Sequence, residues 1–126
     1  MKKTWFALSA VLALAACDRV ADPVACPAYI PPSLNVTVQD SVTGANLTSG
    51  STLVLRGAAG VVDSTTVETQ PFPINSRGLG MGASGTFSLT VRHAGYREWT
   101  KSGIEVKQGQ CGARTVDVEA RLQPAP

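Results

Sequence analysis

The sequence predicts an all-β protein: an antiparallel β-sandwich of about six or seven short strands, entered through a cleaved N-terminal signal helix and a proline-containing tether. Three observations carry this reading. From Leu34 onward, apolar residues recur at every second position, the pattern of a strand with one face buried and one in water. The chain holds 12 glycines and 8 prolines, which suggests many turns, and glycine-containing turn signals lie between those runs. No segment after Cys17 holds a 3.6-residue period for about ten residues, so no helix is expected there.

Taken in chain order, residues 1–16 read as an address. Met1-Lys2-Lys3 is a basic start, and Trp5 to Ala16 is a run of 12 residues interrupted only by Ser9. A membrane-spanning helix needs about 20 apolar residues, so this shorter run reads as a secretory signal peptide. It ends Leu14-Ala15-Ala16-Cys17, which resembles the lipobox of bacterial lipoproteins. That resemblance implies cleavage before Cys17, a diacylglyceryl lipid on its thiol and acylation of the exposed amine. It also implies a cell-envelope protein held to a membrane by that lipid, facing the periplasm or the exterior. At about 0.8 kcal/mol per buried CH₂, two or three acyl chains such as palmitate anchor a protein durably. Asp18 resembles the inner-membrane retention signal of enterobacterial lipoproteins. The alternative is an ordinary signal peptide, with Cys17 a plain thiol. Residues 17–33, with four prolines and no periodicity, read as the tether.

The folded domain is expected over 34–123, with 124–126 as a tail. In LNVTVQD, Leu34, Val36 and Val38 share a face. In STLVLRG, Leu53 and Leu55 point inward, and STTVETQ around Val67 is a weaker candidate. In TFSLTVR, Phe87, Leu89 and Val91 face the core, with Thr86, Ser88, Thr90 and Arg92 outward. GIEVKQG offers Ile104 and Val106, and TVDVEARL offers Val116, Val118, Ala120 and Leu122. The stretch from Pro71 to Gly85 reads as a long loop.

VQDSVTG (Val38 to Gly44), GTFSLTV (Gly85 to Val91) and HAGYREW (His93 to Trp99) resemble the carboxypeptidase regulatory-like domain, a transthyretin-like β-sandwich. The matching residues are Asp40, Thr43 and Gly44; Gly85, Phe87 and Leu89; Gly95 and Tyr96; and Leu122. The chain lacks the extra strand that this family often has between G-x-F and G-Y. The family is mostly an accessory module, so the resemblance implies a structural or interaction role and no activity. A transthyretin-like relative, hydroxyisourate hydrolase, works with several histidines and a terminal Tyr-Arg-Gly-Ser; this chain has one histidine and ends RLQPAP. With Cys17 assigned to lipid, Cys26 and Cys111 form an even pair, expected to bridge in an oxidising envelope. Two free thiols are the alternative.

Other chemistry is weakly signalled. Without Lys2 and Lys3 the chain carries nine basic and nine acidic residues, interspersed, which gives no overall footprint for nucleic acid or acidic lipid. GMGASG (Gly80 to Gly85), with Glu105 downstream, fits the dinucleotide-binding spacing, but a strand rather than a helix is expected after it. His93 has no companions for a metal set and no nucleophile motif beside it. No cofactor or metal is expected, and a hydrolase built on His93 is the minor alternative to a non-enzymatic protein. Asn35-Val36-Thr37 and Asn46-Leu47-Thr48 match the N-glycosylation pattern, which is frequent by chance. The candidate binding features are the Tyr96–Trp99 edge and the Pro71–Gly85 loop, with an envelope glycan or protein as the partner.

Overall fold

The computed structural model describes residues 25–69 and 71–126. The signal peptide, Cys17 and Asp18 lie outside the described residues. Nine strands are present among the described residues and no helix, so the chain is all-β. They are β1 (Pro32–Asp40), β2 (Thr52–Gly57), β3 (Gly60–Thr66), β4 (Arg77–Met81), β5 (Gly85–Arg92), β6 (Trp99–Val106), β7 (Gln108–Gly109), β8 (Gly112–Ala113) and β9 (Val116–Leu122). One sheet runs β4-β1-β9, a second β3-β2-β5-β6, and β7-β8 is a small hairpin.

The period-two pattern places the core. Leu34, Val36 and Val38 of β1, Leu53 and Leu55 of β2, Leu89 and Val91 of β5, and Ala120 and Leu122 of β9 are buried together in one cluster. Both larger sheets contribute to it. Thr90, expected outward, is also buried, because β5 is central and Val54 of β2 and Thr100 of β6 flank it.

Several expectations need correction. The pairing is not all antiparallel: β1 and β9 run parallel, from Leu34↔Val116 to Asp40↔Leu122. A parallel pair needs a long crossover, and the chain from β2 to β8, which includes the whole second sheet, supplies it. The tether is shorter than 17–33, since β1 begins at Pro32 and Ser33 is fully buried. The Pro71–Gly85 stretch is not one loop. β4 runs through it, pairing antiparallel with β1 from Pro32↔Met81 to Val36↔Arg77. Gly80 has φ +68 and sits where a Cβ would lie 2.7 Å from Leu55 Cδ2 and 3.0 Å from Ser33 Oγ. The Ser33 hydroxyl sits within this contact between the Gly80 and Ala83 carbonyls, which share its one hydrogen. β6 starts at Trp99, earlier than expected. An extra residue opposite Ser88 forms a bulge, with Gly103 at φ +68, and the inward phase changes across it. Trp99 therefore lies opposite Val91 and packs on the core, while Lys101 lies opposite Leu89 and stays exposed. A charge on the inward face of an edge strand discourages pairing with other chains.

β4 stops pairing at Val36, and a side chain takes over beyond it. The Val38 amide donates to the buried Thr48 hydroxyl at 3.0 Å, and that hydroxyl donates to the Asn75 carbonyl at 3.0 Å. Leu47 returns its amide to the Val38 carbonyl at 2.7 Å. Thr48→Val keeps the shape and strands the Val38 amide. A loss of about 1–3 kcal/mol is expected, read by urea denaturation. A midpoint equal to wild type would remove the hydroxyl from this role.

Candidate functional site

The turn after β1 is built by Asp40. Its Oδ1 accepts from the amides of Val42 at 2.7 Å and Thr43 at 3.0 Å. Its backbone accepts the Gly44 amide at 2.9 Å and donates to the Ala45 carbonyl at 2.8 Å, with Gly44 at φ +74. Glycine adopts that conformation without the Cβ penalty. Oδ2 accepts from the Tyr96 hydroxyl at 2.6 Å, across 56 residues of chain. The Asp40–Gly44 and Gly95–Tyr96 elements noted in the sequence thus meet in space.

Tyr96 is further fixed by its backbone. It forms an isolated antiparallel bridge with Pro124, flanked by Arg97 N–H to Gln123 O and Ala125 N–H to Gly95 O, each 2.9 Å. The C-terminal residues 124 and 125 are therefore part of the fold rather than a loose tail. His93 packs edge-on against Tyr96, ring centroids 5.3 Å apart, and its Nδ1 lies 2.9 Å from the Ala94 carbonyl. Its other nitrogen faces Gly50, 3.3 Å from where a Cβ would sit. These contacts make His93 a packing residue of its own turn.

The Tyr96 hydrogen bond, helped by the Thr43 and Val42 amides, holds the Asp40 carboxyl below its ordinary range. The same bond, with burial and the Asp40 charge, raises the Tyr96 hydroxyl above its ordinary range. Asp40 therefore adds stability above its unfolded pKa of about 3.9, lost as pH falls through the lower folded value. Tyr96 adds stability below about pH 10, lost as pH rises through its raised folded value. Tyr96→Phe is expected to lower the thermal midpoint at neutral pH by on the order of 5–10 °C. It also moves the acid limb of stability upward, toward the ordinary carboxylate range. Melting curves against pH, with an NMR titration of Asp40, measure both; an unmoved acid limb would refute the coupling.

Trp99 is half-buried. With Arg97, Glu98, Arg121 and Gln123 it lines an open groove of about 300 Å³ between the start of β6 and the end of β9. Glu98 pairs with Arg92 at 2.7 Å, and Arg121 with Glu119 at 3.1 Å. Phe72, at the start of the Pro71–Gly85 stretch, is 77% exposed. The segment behind it is fastened: Ile74 N–H donates to Ser49 Oγ at 2.7 Å, and Asn46 Nδ2 donates to the Asn75 carbonyl at 3.0 Å. The structure does not join Phe72 and the Tyr96–Trp99 edge into one site.

Other motifs have structural occupations. The Gly80–Gly85 stretch ends β4 and leads directly into β5, with no helix to hold a pyrophosphate. The Gly80 amide donates to Asp63 Oδ2 at 3.0 Å. Asn35 faces Asp117 at 3.4 Å, and Asn46 is engaged with Asn75. No group of three His, Cys, Asp or Glu residues gathers as a metal set among the described residues. Cys26 and Cys111 are joined by a disulfide, Cα–Cα 5.1 Å, across 85 residues. Cys111 lies in the β7–β8 turn. No protein-family model matches the sequence, and a search of curated proteins finds no match.

Proposed function

We propose that this chain is a lipid-anchored bacterial envelope protein presenting a non-catalytic β-sandwich in a structural or interaction role. The observation that carries the proposal is the pairing of the cysteines. Cys26 and Cys111 bond to each other, which leaves Cys17 of Leu14-Ala15-Ala16-Cys17 as the third. A structural disulfide fits an oxidising, non-cytoplasmic compartment, and lipid on Cys17 supplies the attachment to the membrane. Asp18 favours the inner membrane. We read the two larger sheets as the layers of a transthyretin-like sandwich of the carboxypeptidase regulatory-like kind. The Asp40–Tyr96 bond supports this, since it gives two of the short resembling motifs one shared structural task. Mass spectrometry of the mature protein tests the anchor. A diacylglyceryl mass on an N-terminal Cys17 is expected; an unmodified N-terminus elsewhere would refute it.

A second reading, an envelope module that binds a glycan or protein, is favoured by the Trp99 groove. A half-buried aromatic that shares a groove with Arg97, and with Glu98 and Arg121 held in ion pairs, suits a carboxylated sugar or an acidic peptide. Loss of binding on a glycan array in Trp99→Ala, with an unchanged far-ultraviolet spectrum, supports it. Equal binding by the variant removes Trp99 from the site.

A further inference from the structure

The chain enters the domain beside a surface that combines exposed apolar and basic side chains. Tyr29 is 64% exposed, Ile30 58% and Met81 64%. The chain carrying Ile30 runs beside the end of β4, and Tyr29 immediately precedes it: Ile30 Cγ2 would stand 2.8 Å from a Cβ at Gly82, the Gly82 amide donates to the Pro31 carbonyl at 3.0 Å, and Met81 is the register partner of Pro32. The β7–β8 hairpin closes the same end. Gly112 packs on Pro31, where a Cβ would lie 3.1 Å from the proline ring, and Cys111 is bonded to Cys26. The strands of that hairpin are flanked by Lys107 and Arg114, whose backbones pair at 2.8 Å. Asp63 of β3 is turned to the Gly80 amide, and Glu105 is the acidic residue on the approach to Lys107.

We infer that this end of the domain, formed by Tyr29, Ile30 and Met81 with Lys107 and Arg114, rests against an anionic phospholipid surface. The inference builds on the lipoprotein reading and adds a defined orientation to it. Cys26 stands nine positions after Cys17, a reach of at most about 30 Å fully extended. The disulfide fastens the chain to the domain at Cys26. A lipid on Cys17 therefore keeps the entry end of the domain near the bilayer. Tyrosine and aliphatic side chains suit the headgroup boundary, and lysine and arginine suit anionic headgroups. Phe72 and Val42 belong to the other end, where the 71–75 segment and the β1–β2 connection meet beyond Val38. They face away from the membrane in this orientation.

Hydrogen exchange read by mass spectrometry tests this on the full mature protein, its lipid state established first from the intact mass. The protein is reconstituted on phosphatidylglycerol-rich vesicles and on vesicles of phosphatidylcholine alone. Segments 28–31 and 81–84 are expected to exchange several-fold more slowly on the anionic vesicles, with 41–47 and 71–76 unchanged. The protection is lost in Tyr29→Ser/Ile30→Ser/Met81→Ser, whose targets are all exposed and whose melting point should match wild type. Lys107→Gln/Arg114→Gln removes the preference for the anionic lipid. A lipidated protein with no change at 28–31 and 81–84 overturns the inference, as does protection that survives the triple substitution. If the intact mass carries no lipid, the lipoprotein reading fails separately. The unlipidated protein is then sedimented with the anionic vesicles. Sedimentation lost in the triple variant retains the surface, and none in wild type overturns it.

Discussion

Gly80→Ala is expected to destabilise the domain by about 2–5 kcal/mol, enough to unfold much of a population of ordinary stability. Two costs combine at this position. The first is the left-handed backbone, φ +68, which costs a residue with a Cβ about 1–2 kcal/mol. The second is the contact: the new methyl would lie 2.7 Å from Leu55 Cδ2 and 3.0 Å from Ser33 Oγ. Leu55 and Ser33 are both fully buried and cannot move aside into solvent. Gly95→Ala separates the two costs, because Gly95 has φ +82 and nothing within 4 Å of a Cβ. Urea denaturation of the two variants should place Gly80→Ala well below Gly95→Ala. Equal losses would mean that the β4–β2 contact adds nothing to the backbone cost.

Removing the Cys26–Cys111 bridge, by Cys26→Ser/Cys111→Ser, is expected to cost about 2–5 kcal/mol. The closed loop of 85 residues holds nearly the whole domain, and the chain-entropy model assigns such a loop about 4–5 kcal/mol. The segment after Cys26 keeps two other holds: Pro31 O with the Gly82 amide, and the Thr115 hydroxyl donating to Pro32 O at 2.6 Å. The variant should therefore fold at low temperature but melt early. Denaturation of wild type with and without reductant gives the same comparison without mutation. Coincident curves would deny the bridge a stabilising role.

The strands legible in the sequence are those with one buried face. Leu34-Val36-Val38 and Val118-Ala120-Leu122 alternate because alternate side chains enter the cluster. β4 was hidden because glycines flank Leu79 and contribute no side chain to a period. In β6 the bulge at Gly103 shifts the phase, so Trp99 and Lys101 fall out of step with Ile104 and Val106. Strand direction leaves no mark on alternation, so the parallel β1–β9 pair was not readable. The candidate site was half legible. Asp40 and Tyr96 each stood out beside a glycine turn, but no local pattern encodes a bond spanning 56 residues. The Trp99 groove depends on Arg121 and Gln123 from the far end of the chain, and nothing near Trp99 announces them.

The parallel β1–β9 pair also sets an order of assembly. Asn35 and Asp117 are register partners 82 residues apart, so a chain delivered N-terminus first offers β1 long before its last partner exists. β2, β3, β5 and β6 pair with nearer segments and can associate earlier, since short loops close at lower entropic cost. β9 follows all the other described strands in the chain, so its pairing with β1 completes the first sheet late. In pulse-labelled hydrogen exchange during refolding, amides of β1 that bond to β9 should gain protection after those of β2 and β5. Protection of β1 ahead of them would reverse this order.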